Sequence, residues 1–146
     1  MKYFLLLTVV TALLGSALTI KGENTQAAAN KGGIDFEDIT YEQALEKAKA
    51  SNKLIFIDAY AVWCGPCKWM SANTFTDKSV GDFYNDNFIN LKIDMEKGEG
   101  PELSRKLQVT AYPTLFFINK EGEIVKRVLG AKPPKEFLKI GKSLLE

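Results

Sequence analysis

The two cysteines of this chain, Cys64 and Cys67, stand in the run Trp63-Cys64-Gly65-Pro66-Cys67, with the spacing of a reversible dithiol/disulfide pair. A thiolate is the attacking species in disulfide exchange. A cysteine in the first turn of a helix is favoured as thiolate by the helix dipole and by backbone N–H groups that lack helical partners. Pro66 has no N–H to lose and a φ preset for a first turn, so the run predicts a helix beginning at Cys64. Cys67 then follows one turn later on the same side, where the two sulfurs can bond.

Three other uses of the pair compete with redox exchange. A structural zinc site needs about four Cys or His ligands; with two cysteines and no histidine, zinc is close to excluded. A purely structural disulfide remains open, although closing so short a loop removes only about 2 kcal/mol of unfolded-chain entropy. Two inert buried thiols fit less well, because Gly65, Pro66 and the preceding Trp63 make poor core filler.

The elements that must position the pair can be read from periodicity and punctuation. Thr40 and Gln43 form a capping-box pattern ahead of Ala44, Leu45 and Ala48 on one face, predicting a helix over 41–51. The run 54–60 is apolar on both faces except at Asp58, as a central strand covered on both sides would be, and it leads straight to Cys64. After the CxxC helix, Thr76 or Asp77 can cap a helical stretch to 87, and 88–94 reads as the next strand. Pro101 is placed to open a helix through 107. A strand over 114–118 and a turn at 119–122 lead into a strand over 123–129, and Pro133-Pro134 begins a last helix to the C-terminus. Strands that first alternate with helices and then pair through a hairpin predict an α/β domain with a mixed central sheet and helices on both faces.

The whole chain is 146 residues, the size of one domain behind a targeting segment. Lys plus Arg number 19 against 18 Asp plus Glu, so there is no basic excess to favour nucleic acid, and no such partner is expected. Residues 1–20 read as a signal peptide: Lys2 supplies the positive start, 3–14 the apolar run, and small residues follow. Cleavage fits Gly15-Ser16-Ala17 or, as late as 29, Ala27-Ala28-Ala29; an uncleaved segment would tether the domain to the membrane instead. No cysteine follows the apolar run, which leaves no site for N-terminal lipidation. Residues 21–33 are polar and aperiodic, a linker, and the folded domain is expected over 34–146. An exported CxxC pair has no cytosolic thiol pool to recharge it and depends on a dedicated partner.

Three separated motifs resemble those of the thioredoxin-fold family, at the family's order and spacing. They are Trp63-Cys64-Gly65-Pro66-Cys67-Lys68, Tyr112-Pro113-Thr114 and Val128-Leu129-Gly130-Ala131. Residues 53–70 and 73–77 resemble more specifically the C-terminal periplasmic domain of the membrane thiol-disulfide interchange protein. The resemblance implies a thioredoxin fold and a role for each matched residue. Cys64, exposed at the helix start, is implied as the nucleophile, and Cys67, the more buried sulfur, as the resolving thiol. Asp58 takes the place of the family's buried aspartate, a proton relay whose burial raises its pKa; a structural, hydrogen-bonded Asp is the alternative. The lysine that often accompanies it is not evident, with Asn90 at its expected position and Lys92 two residues on along the same strand face. Pro113 matches the family's cis-proline, leaving the backbone of Tyr112 to pair with an extended substrate. Trp63, Gly65 and Pro66 complete the implied substrate contacts, Trp63 either as an exposed apolar contact or as ordinary packing. Tyr60 stands where many members carry tryptophan.

With Gly and Pro between the cysteines and no histidine to favour the thiolate further, a reductant is expected over an oxidant. The function implied is an exported protein-disulfide reductase, in a bacterial periplasm, without metal or other cofactor. Its expected partners are disulfide-containing exported proteins and a membrane or other upstream thiol reductase, and the chain is expected to be a monomer. A disulfide oxidase or isomerase on the same fold, and a non-catalytic peptide-binding module, are the alternatives.

Overall fold

Thr40 caps the first helix through both halves of a capping box: its hydroxyl accepts from the Gln43 N–H, and the Gln43 side chain accepts from the Thr40 N–H. That helix, α1 (Tyr41–Ser51), buries Tyr41, Ala44, Leu45 and Ala48 and ends at Asn52 in the left-handed conformation. The computed structural model describes residues 32–146, so residues 1–20, read above as a signal peptide, and the expected linker up to residue 31 lie outside the described residues. Among the described residues, no helix is long and apolar enough to cross a membrane.

Beyond α1 the chain runs β1 (Leu54–Tyr60), α2 (Gly65–Asn73), α3 (Lys78–Asn87) and β2 (Phe88–Asp94), then α4 (Gly100–Lys106), β3 (Thr114–Ile118), β4 (Ile124–Leu129) and α5 (Pro134–Lys142). The expected elements are all present, with three adjustments. Strands and helices do not strictly alternate, since α1 precedes the first strand and α2 and α3 both lie between β1 and β2. Asp77, rather than Thr76, caps α3, its carboxylate accepting from the N–H groups of Ser79 and Val80. The last helix stops at Lys142, short of the C-terminus.

The sheet has four strands in the order β2-β1-β3-β4, with β1 parallel to β2 and antiparallel to β3, and β3 antiparallel to β4. The two central strands are covered on both faces, which explains why they are apolar on both faces apart from Asp58 and Thr114. On one face, α1 and α4 pack Leu45, Leu103 and Leu107 over Ile55, Ile57 and Phe116. On the other, an aromatic cluster fills the space under α2, α3 and α5: Phe56 touches Phe36, Phe75, Tyr84, Phe117 and Phe137, and Tyr84 stacks on Phe137 at 4.3 Å.

Two glycines fix close approaches that set this frame. A Cβ on Gly81 of α3 would stand 2.3 Å from the Gly33 carbonyl oxygen, and one on Gly100 of α4 would stand 1.9 Å from that of Asp94. The first lets the N-terminal strap lie against α3, and the second lets the chain fold back directly after β2.

Candidate active site

Central strand β1 carries Asp58 at its middle and delivers the chain to the turn that presents the cysteines. The Ala61 carbonyl accepts from the Cys64 N–H at 3.1 Å, closing the turn, and Cys64 becomes the N-cap of α2 in extended backbone conformation. Its sulfur accepts from the Cys67 N–H at 3.1 Å, the role a Ser or Asp oxygen plays at other helix starts. Cys64 and Cys67 form a disulfide with S–S 2.08 Å and Cα–Cα 5.3 Å.

Cys64 is not the exposed residue the sequence suggested. In this oxidised form Cys64 is 3% and Cys67 2% exposed. The bonded pair packs with Ala61 against Tyr60 and Tyr112. Gly65 and Pro66, the residues between them, are exposed instead.

Trp63 stands in solvent at 65% exposure and is not part of the core. Its indole N–H donates to the Glu96 carboxylate at 3.1 Å, and its ring meets the edge of Tyr112 at 5.8 Å. The Tyr112–Pro113 peptide is cis, and Pro113 is buried at the entry to β3. The Pro113 carbonyl accepts from the N–H of Gly130, which follows β4 with a φ of +77° that a side chain would disfavour. The three motifs therefore meet at one end of the sheet.

Asp58 is fully buried. Its partner is the lysine that the sequence did not place: Lys92 faces Asp58 in register across the parallel β1–β2 pair, and its Nζ donates to Asp58 Oδ2 at 2.7 Å. Asn90 is opposite Phe56 and donates instead to the Tyr84 carbonyl at 3.2 Å. Register across strands is a long-range property, so counting along β2 put the wrong residue beside Asp58. Asp58 Oδ1 has no hydrogen-bond partner. Burial raises the Asp58 carboxyl above its ordinary value, and the Lys92 charge and hydrogen bond offset only part of that rise.

Lys92 is itself held from several sides. Its Nζ lies 4.7 Å from the Tyr60 ring, 5.1 Å from Phe75 and 5.6 Å from Phe36, and it donates a second hydrogen bond to Ser71 Oγ at 2.7 Å. Ser71 in turn donates to the Cys67 carbonyl at 3.0 Å. Sequence reasoning missed Ser71; the available signal was its place one turn after Cys67 on the same face of α2. A groove of about 430 Å³ opens beside these groups, lined by Tyr60, Val62, Cys67, Lys68, Ser71 and Lys92.

This geometry holds a dithiol/disulfide pair at the start of α2 and joins it, through Ser71 and Lys92, to a buried carboxylate. Comparison with known proteins places it in a family. The thioredoxin-like domain profile matches residues 41–145. Thioredoxin-2 of Pyricularia oryzae is 32% identical over 82% of this chain, which spans 64% of that protein. The thiol:disulfide interchange protein DsbD of Pasteurella multocida is 36% identical over 75% of the chain, but the chain spans only 20% of it. The solution structure of a proposed disulphide isomerase from Bacteroides thetaiotaomicron is 48% identical, covers 81% of this chain and 98% of its own, and superposes with a TM-score of 0.69. The chain belongs to the thioredoxin-like family and carries a CxxC disulfide at Cys64 and Cys67.

Proposed function

We propose that the protein is an exported protein-disulfide reductase. The observation that carries the exchange chemistry is the Cys64–Cys67 disulfide at the start of α2, linked through Ser71 and Lys92 to a buried carboxylate. In the reduced protein, the Cys64 thiolate attacks one sulfur of a substrate disulfide, forming a mixed disulfide and releasing one substrate thiolate. Asp58 takes the Cys67 proton on its unpartnered Oδ1, and the Cys67 thiolate attacks the Cys64 sulfur. The second substrate thiolate leaves, and the protein is left with the disulfide. Two electrons have passed to the substrate, which becomes a dithiol. An upstream thiol reductase, in the membrane or elsewhere, returns the protein to its dithiol form. The exchange itself needs no cofactor.

Trp63, exposed and hydrogen-bonded to Glu96, and Tyr112, against the disulfide, flank the path of an incoming polypeptide, with Gly65 and Pro66 at its centre. Tyr112 precedes β3, and its backbone is the edge along which an extended substrate pairs, next to Pro113. Export rests on the signal-like residues 1–20 and on the DsbD relative, and the periplasm is the compartment that fits both. Within it the chain acts as a monomer on disulfide-containing exported proteins.

Insulin reduction with dithiothreitol as electron source tests the exchange. Wild type is expected to turn over, and Cys64→Ser is expected to be inactive; equal rates would sink the enzymatic reading in favour of a binding module. Because one relative is described as a proposed disulphide isomerase, oxidation or isomerisation is the second reading. The reduction potential of the Cys64/Cys67 couple against glutathione separates them. A value near about −270 mV fits a reductant, and one near about −120 mV an oxidant.

A further inference from the structure

Lys92 has two oxygen acceptors, and only one belongs to Asp58. The second, Ser71 Oγ, is 2.7 Å away on α2, and its own proton goes to the Cys67 carbonyl. A serine in a helix commonly bonds back to the carbonyl four residues earlier and does nothing more. Here its lone pair also receives an ammonium from a different element, so one hydroxyl joins β2 to the turn that carries the resolving cysteine.

We propose that Ser71 is a positioning residue for disulfide exchange: its hydroxyl anchors the Lys92 ammonium beside Asp58 and ties that pair to the Cys67 turn of α2. This deepens the reductase reading and rests on it for its role in turnover, although the anchoring itself is a property of the folded chain.

The physical case lies in what competes for Lys92. Its side chain is 25% exposed and lines the open groove beside Cys67, so water is within reach of the ammonium. When Asp58 accepts a proton it loses its charge, and the strongest attraction holding Lys92 inward is lost. The rings of Tyr60, Phe75 and Phe36 and the Ser71 oxygen are then what keep the ammonium in place for the next cycle. Without the hydroxyl, Lys92 turns toward the groove and its water, leaving Asp58 with less compensation for burial. The other titratable groups around this centre are Tyr60 on β1, Asp94 on β2, Tyr112 ahead of β3, and Cys64, Cys67 and Lys68 at the start of α2; β3 itself puts only Leu115 opposite Asp58.

The test is the titration of the Asp58 carboxyl, followed by NMR in protein with carboxyl-labelled aspartate, so the readout does not depend on turnover. In Ser71→Ala the midpoint is expected to rise by about half a pH unit or more, and Ser71→Thr, which keeps the hydroxyl, is expected to restore it. Lys92→Met should raise it further, and adding Ser71→Ala to Lys92→Met should then change nothing, because the serine acts through the lysine. A midpoint that stays or falls in Ser71→Ala, or a shift that persists without Lys92, overturns the proposal. Amide spectra of each variant confirm that the fold is kept. Insulin turnover of the same variants is scored separately: an inactive wild type defeats the reductase reading, whereas an active wild type with an unmoved Asp58 in Ser71→Ala defeats only the role of the serine.

Discussion

Asp58 and Lys92 face each other in register on the two parallel strands, yet Lys92 reaches only Oδ2 and leaves the buried Oδ1 without a partner. The carboxyl is thus half compensated, which suits the proton relay proposed for it.

That imbalance has a consequence for stability. A carboxyl whose pKa is higher folded than unfolded binds its proton more tightly in the native state, so the protein loses stability as pH rises past the ordinary value of 3.8 and has lost all of that contribution above the raised value. Asp58→Asn is expected to be more stable than wild type at pH 7.5 by about 1–2 kcal/mol, with a gain that shrinks toward pH 4.5. Urea unfolding at the two pH values checks this, and equal stabilities at pH 7.5 would mean that Lys92 compensates the charge fully. Turnover should fall at least about tenfold in the same variant.

The two cysteines should part company when replaced singly. Cys67→Ser keeps the attacking thiol and removes the resolving one, so mixed disulfides with substrate proteins accumulate on Cys64. Cys64→Ser should trap none. Non-reducing gels with mass spectrometry of the captured bands give the comparison; trapping by Cys64→Ser alone would reverse the assignment, and equal trapping would abolish it.

Gly100 and Gly65 make opposite predictions for one chemical change. Alanine at Gly100 drives a methyl into the Asp94 carbonyl and is expected to cost about 1–3 kcal/mol, more if the chain cannot move. Alanine at Gly65 meets nothing within 4 Å, and stability should stay within about 0.5 kcal/mol of wild type. Chemical denaturation of the pair decides whether close approach, rather than glycine itself, matters at each site.

Trp63→Ala removes a side chain that packs mainly on Tyr112 and solvent, so stability should change by less than about 0.5 kcal/mol. The KM for insulin should rise several-fold, while reduction of a small aromatic disulfide proceeds at the wild-type rate. Equal losses on both substrates would mean that Trp63 supports the disulfide turn instead of the substrate.

What was legible in the sequence was local chemistry. The Thr40/Gln43 box, the Pro66 turn and the two-sided apolar runs of β1 and β3 each depend on residues a few positions apart, and their elements lie where expected. What was not legible depends on parts of the chain brought together by folding. Lys92 meets Asp58 only through the parallel register, Ser71 meets Lys92 across the space between helix and sheet, and the cluster that holds the cysteine pair is packed by Tyr112, far along the chain. Family resemblance named Asp58, Cys64 and Cys67, but could not say which neighbours hold them.

The stack of Phe137 on Tyr84 also bears on when the domain can form during synthesis. Phe137 lies on α5, the last helix of the sheet's second face, and completes the ring cluster around Phe56. Until α5 emerges from the ribosome, Phe56, Phe75, Tyr84 and Phe117 meet one another but lack the ring that packs against all four. In a chain made at about 5–20 residues per second, this face of the sheet therefore closes only after α5 has been translated.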